Sequence, residues 1–224
     1  MLLFSWSVWI DVLSQIEDDN DRWTLRLQTV DPIAFYCVYQ PAATRDRFIS
    51  VATSALHQGN LRSNISGYTD VLRADALSPG QFLRSREQRV QLAALGTHWA
   101  SFGDFRIALE RLNSRAYVKT TLNFRNCSSH SIAPKFEEGE TNFVTRSIRP
   151  LQQLVEQPDG SSRLEEHPTR KIVSYGFGGP PPIRYSDVIE ANRIEYQLAI
   201  GTLSAYQRLL EEIVVRIGQE QGRL

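Results

Sequence analysis

The C-terminal stretch carries the clearest alternation of apolar and polar positions in the chain. After Ser186-Asp187, which can cap a helix, Ile189, Asn192, Tyr196, Ala199, Leu203, Tyr206, Leu210, Ile213 and Ile217 follow at steps of three and four. That spacing is a heptad seam, and it predicts a long helix over 186–219 with the seam turned inward. Ile194, Leu198, Ala205 and Leu209 form a second stripe beside it. The wider apolar face gives this helix, about 45 Å long at 1.5 Å per residue, room for more than one neighbour. Asn192 interrupts the seam in the way a register-fixing polar residue does.

Elsewhere the periodicity is helical but shorter. Leu3, Trp6, Trp9, Ile10, Leu13 and Ile16 share one helical face, and the acidic run Glu17–Asp21 reads as the solvated turn that ends it. A calcium loop would need a glycine at its sixth position and a carboxylate at its twelfth, and both are missing. Residues 23–30 alternate and read as a short strand or an irregular connection before Asp31-Pro32. A helix is expected from Thr44 to Leu56, closed by Gly59. Ser78-Pro79-Gly80-Gln81 has the residues of a capping box and predicts a helix running on to Phe102, with Gly103 as its stop and Asp104 capping the next.

The apolar positions from Phe105 to Phe124 predict one kinked helix or two short ones, and Pro134 forbids much helix beyond. Residues 134–182 are rich in Pro, Gly, Ser and charge, so they read as a loop-rich insertion with one helical patch near 148–156. No internal repeat or clean boundary stands out. The expectation is a single all-α domain over 1–224: a helical bundle with a long C-terminal helix and an irregular excursion before it.

Composition narrows the functional classes. With 224 residues, 42% hydrophobic and 22% charged, the chain can build a core. Lys and Arg number 25 and Asp and Glu 25, so no global positive field draws in nucleic acid, and any RNA contact must be local. Cys37 and Cys127 lack both the spacing of a zinc or redox site and the density of a disulfide scaffold; they read as thiols in a reducing, cytoplasmic setting. The apolar N-terminus is too short to span a bilayer and has no cation before it, so it reads as a buried first helix, with no membrane partner.

Against that background the stretch Arg125-Asn126-Cys127-Ser128-Ser129-His130 concentrates chemistry. An arginine keeps its charge at every relevant pH and its planar fork suits two phosphate oxygens. A histidine exchanges a proton near neutrality. Cutting RNA requires a 2′-hydroxyl to lose a proton, charge on phosphorus to be stabilised and a leaving oxygen to gain a proton; His130 can serve the transfers, Arg125 the charge and Asn126 the orientation. On a helix Asn126 and His130 share a face, while Arg125 and His130 lie about 140° apart around the axis.

These residues resemble the signature of the HEPN superfamily of small helical proteins, many of them metal-independent ribonucleases of prokaryotic defence and toxin–antitoxin systems. In that family an arginine and a following polar residue precede a histidine near a helix end, and paired protomers bring two such motifs to one cleft. The resemblance implies a helical bundle, an RNA substrate, a homodimer, an antitoxin or other partner protein, no metal and no cofactor, and catalytic roles for Arg125, Asn126 and His130. The glycine that many relatives place after the histidine is Ser131 here, and the tyrosine that one branch presents for nucleotidyl modification is absent. The reading that owes nothing to the resemblance is a non-catalytic helical interaction protein, self-associating or binding a partner helix along the 189–217 seam.

Other motifs carry less. Tyr175-Gly176-Phe177-Gly178-Gly179-Pro180-Pro181-Pro182 reads as a rigid turn feeding the last helix, because its prolines lack the amide donors of a phosphate loop. His98-Trp99 reads as core, His57 and His167 as isolated, and Arg84, Arg86 and Arg89 as a solvated face able to touch RNA phosphates.

Overall fold

A computed structural model of the chain describes residues 2–139 and 143–222. It is mostly helical, at 61%, but 15% of it is strand in a two-stranded antiparallel sheet, so the fold is mixed and not all-α. The chain forms two compact units, residues 1–125 with 185–224, and residues 126–184.

The first unit contains α1 (Leu2–Ser14), α2 (Asp19–Leu25), a π-helical turn (Arg26–Val30), α3 (Asp31–Arg62), a 3-10 turn (Arg73–Ala76), α4 (Ser85–Gly96), α5 (Phe102–Arg111), α6 (Arg115–Thr120) and α8 (Tyr185–Gln221); α7 (Phe124–His130) starts in it. The acidic run does more than end α1. Asp18 accepts the N–H groups of Asn20 and Asp21 at 2.9 Å and so caps α2, which makes residues 23–30 helical and not strand. The π turn then leads directly into α3, with Pro32 in that helix's first turn.

Three glycines explain where the expected boundaries moved. Gly59 lies inside α3, and a Cβ there would stand 3.0 Å from Ile213 and Trp99, so its smallness serves close packing and not termination. At Ser78–Gln81 the returning bond of the capping box forms, Gln81 accepting the Ser78 N–H at 3.2 Å, but Gly80 has φ +83° and turns the chain. The helix starts instead at Ser85, where Glu87 accepts the Arg84 N–H at 2.8 Å. It stops at Gly96, where a Cβ would lie 2.3 Å from the Phe102 ring so that only glycine lets that ring pack so close, and Gly103 falls within α5.

The core joins Ile49, Ala52 and Leu56 of α3 to Leu92 and Leu95 of α4, to Phe105 and Leu109 of α5 and to Ala205, Leu209 and Ile213 of α8. Each fully buried Leu, Ile or Phe contributes about 1.5–3 kcal/mol relative to exposure. Its polar atoms are matched: Trp99 Nε1 donates to Asn60 Oδ1 at 2.7 Å, and Asn60 Nδ2 donates to the Leu95 carbonyl at 3.1 Å.

Along α8 the period is the expected one, but the phase is rotated. The buried line runs Val188, Asn192, Glu195, Thr202, Ala205, Leu209, Ile213, while Tyr196 and Leu203 are 54% and 43% exposed. Polar residues hold the inner face because each finds a partner. Asn192 donates to the Val188 carbonyl at 2.8 Å and accepts the Tyr117 hydroxyl at 3.2 Å; Thr202 donates to the Leu198 carbonyl at 2.8 Å. Glu195 accepts the Asn113 N–H at 2.9 Å.

The second unit holds the end of α7, a parallel bridge between Phe136 and Ile183, and a hairpin of β1 (Phe143–Glu156) and β2 (Ser162–Gly178). The irregular excursion and its helical patch are therefore strands. Val144 pairs with Phe177, Ile148 with Val173 and Leu154 with Leu164, a period of two that local helical spacing had obscured. The connection closes through Gly160, at φ +79°, with the Gln157 N–H donating to the Ser161 carbonyl at 2.7 Å. The pairing shifts between Pro150 and Gln152, and His167–Arg170 of β2 form the bulge that absorbs Pro168. Tyr175–Gly178, expected as a rigid turn, are the last residues of β2. Among the described residues no helix is long and apolar enough to cross a membrane.

Candidate functional site

The Arg-Asn-His stretch lies on α7, and a strained connection delivers that helix. After α6, Leu122 and Asn123 both take left-handed backbone angles, φ 49° and 54°, which for leucine is uncommon. The turn is closed by the Asn123 N–H donating to the Val118 carbonyl at 2.7 Å and the Phe124 N–H to the Thr121 carbonyl at 2.9 Å. Phe124 is buried, edge-on to Phe35 of α3 with ring centroids 5.1 Å apart, and so anchors the first turn.

Arg125 is half-exposed. Its Nη2 donates to Asp46 Oδ2 of α3 at 2.8 Å, and the guanidinium carbon stands 6.0 Å from the Tyr39 ring centroid. Tyr39 and Asp46 are seven residues apart, two turns of one face of α3. Asp46 takes one of the five guanidinium N–H groups, while Nε is buried without a hydrogen-bond partner.

Asn126 and His130 are both exposed, and four residues apart they share a face of α7, with His130 as its last residue. Arg125 lies about 140° round the axis from His130. The helix thus brings Asn126 and His130 together and turns Arg125 toward α3.

Three further cations gather beside α6. A shallow pocket of about 520 Å³ is lined by Arg45, Arg115 and Lys119 with Asn113, Val118, Leu122 and Asn123. Burial and the neighbouring Arg89 push the Arg45 guanidinium below its ordinary value, and Asp46, Glu110 and Glu195 pull it back. The left-handed Leu122–Asn123 pair forms one wall, so the turn that restarts the helix also shapes this basic hollow. Sequence reasoning missed these residues: Arg45 lies on α3 and Arg115 and Lys119 on α6, and no spacing along the chain shows that the two helices meet.

A larger groove, about 830 Å³, runs between α1, α3 and α8, with Leu2, Phe4, Val8 and Tyr36 among its apolar residues and Asn192, Arg193 and Glu195 among its polar ones. Burial pushes the Glu195 carboxyl up, against the N–H groups of Asn113 and Ser114 and the charge of Arg45. Burial likewise pushes the Tyr117 hydroxyl up.

The other histidines depart from expectation. His57, read as isolated, is buried and bonded through Nδ1 to Tyr68 Oη and through Nε2 to Asp70 Oδ1 at 2.8 Å, which ties the connection after α3 back onto that helix. His98, read as core, is exposed, and its neighbour Trp99 fills the interior. His167 Nδ1 accepts the N–H groups of Thr169 and Arg170 at 3.2 and 3.1 Å, a local cap on the β2 bulge. Burial raises the Cys37 thiol to about 11, which keeps it protonated and inert, and neither cysteine is in a disulfide. Among the described residues no three His, Cys, Asp or Glu side chains cluster so as to hold a metal ion.

Compared with protein-family models, with curated proteins and with solved structures, the chain matches none of them.

Proposed function

We propose that the chain is a metal-independent endoribonuclease of the HEPN type, a cytoplasmic effector of toxin or phage-defence systems that works as a pair of copies. The observation that carries this reading is α7 itself. It ends in an exposed histidine, shares that face with an asparagine, and begins with an arginine whose guanidinium is steadied by Asp46. In the reaction the His130 imidazole takes the proton from a ribose 2′-hydroxyl, and the 2′-oxygen attacks phosphorus. The Arg125 fork stabilises the pentavalent phosphorane, and the P–O5′ bond breaks as the departing oxygen receives a proton from an imidazolium. The products are a 2′,3′-cyclic phosphate and a 5′-hydroxyl. Because Arg125 and His130 diverge around α7, the reading needs two copies of the helix lining one cleft, so that each histidine works with the arginine of the other copy. Arg45, Arg115 and Lys119 gather local positive charge in a chain with no net positive field.

The test is incubation of purified protein with mixed RNA in EDTA, wild type beside His130→Ala. The reading expects cleavage to cyclic-phosphate ends by the wild type and none by the variant, with helix content and melting temperature unchanged. Equal cleavage by both, or by neither, sinks it.

A second reading, a non-catalytic helical interaction protein, is favoured by the exposed line Tyr196, Ile200, Leu203 and Val214 along α8. On that reading Leu203→Glu abolishes assembly and His130→Ala changes nothing.

A further inference from the structure

The hairpin presents its apolar side to solvent. Cross-strand partners point the same way, so Val144, Ile148, Val173, Tyr175 and Phe177 lie on one face, and Phe177 is 87% exposed and Ile148 62%. Thr145, Ser147, Arg149, Ser174 and Gly176 lie on the other, with Ile172 an exposed apolar residue among them. A lone two-stranded ribbon is marginal in water unless its apolar face is covered. With 14 residues in β1, at roughly 3.3 Å per residue and 4.8 Å per strand, that face is about 45 Å long and about 10 Å wide.

Charge says what covers it. The half of the face near the start of β1 carries Arg146 and Lys171 among the apolar residues; the half near the hairpin turn carries Leu154 and Leu164 flanked by Glu156 and Glu166. Pro150 lies midway along β1. A two-fold axis at that point, lying in the plane of contact and at right angles to the strands, lays each basic half over the acidic half of a twin and each apolar stripe against the twin's. The face is complementary to itself, which is the requirement for an isologous pair.

We propose that this ribbon face is a homodimer interface, with a second copy of the same chain as its occupant. The inference rests on the hairpin alone and is independent of the nuclease reading. Two such footprints cover on the order of 900 Å², below the usual size of stable interfaces, so the pair is weak and concentration-dependent.

The experiment is sedimentation equilibrium of the full chain at low salt, from about 1 to about 500 μM. The wild-type average mass should climb from 25.5 kDa toward twice that value. Arg146→Glu with Lys171→Glu makes the face wholly acidic, and Glu156→Lys with Glu166→Lys makes it wholly basic; all four side chains are exposed. Each variant alone should dimerise at least tenfold more weakly, and an equimolar mixture of the two should dimerise at least as well as wild type, which also shows that both remain folded. A wild type monomeric throughout, variants that dimerise like wild type, a mixture that stays monomeric, or a dimer lost in Leu203→Glu but kept in both charge variants would each overturn the proposal.

Discussion

Asp46 Oδ2 accepts a hydrogen bond from Arg125 Nη2 at 2.8 Å and thereby ties the middle of α3 to the first turn of α7. Both side chains are around 40% exposed, at 41% and 44%, so the pair is screened and adds less than about 1 kcal/mol to stability. Asp46→Ala should hardly move the melting temperature. On the nuclease reading it should slow RNA cleavage by roughly tenfold, by freeing the guanidinium, whereas Arg125→Ala should slow it by about 100-fold or more. Parallel melting curves and cleavage rates check both halves.

The rotated phase of α8 makes two leucines unequal. Leu209 is fully buried and Leu203 is 43% exposed. Leu209→Ala should cost about 3 kcal/mol and Leu203→Ala no more than about 0.5 kcal/mol. Urea unfolding of the two variants measures the difference, and equal losses would restore the seam as the sequence presents it.

Two glutamates of α8 should respond to pH in opposite senses. For Glu212, burial raises the carboxyl, but the N–H groups of Ser101 and Ala100, the Ser101 side chain and Arg216 outweigh it and hold the carboxyl below its ordinary 4.5. The unfolded chain therefore takes up the proton first, and this contribution is lost as pH falls from about 4.5 through the lowered value. Glu195 is raised by burial, so the folded state holds its proton longer, and stability falls as pH rises from 4.5 through the raised value. Stability profiles of Glu212→Gln and Glu195→Gln against wild type should differ with opposite slopes across that acid range.

Gly96→Ala places a methyl group 2.3 Å from the Phe102 ring, which is buried in the core and cannot swing aside. The substitution should cost about 3 kcal/mol through overpacking. Gly103→Ala, where nothing lies within 4 Å, should be neutral or stabilising within α5. Thermal melts of the pair separate a packing glycine from a permissive one.

Local information was enough for much of this protein. The three- and four-residue spacing of apolar side chains set the existence of α1 and α8, because helical periodicity is written within a few consecutive turns. It also marked 105–124 as helical, though as one kinked helix or two short ones where α5, α6 and the start of α7 stand, and the proposal of chemistry at Arg125, Asn126 and His130 draws on residue types and spacing. What lay beyond it required distant partners. The side of α8 that is buried depended on whether Glu195 would meet the Asn113 N–H and Asn192 the Tyr117 hydroxyl, and a pattern of hydropathy cannot register a polar group that burial has satisfied. Asp46 reached Arg125 only when α3 and α7 packed, and Gly96 acquired its meaning only once Phe102 folded back over it. The strands over 143–178 were decided by pairing between residues as far apart as Val144 and Phe177. A ladder stabilises neither strand until both are present, so tertiary structure alone turned an irregular-looking insertion into a ribbon.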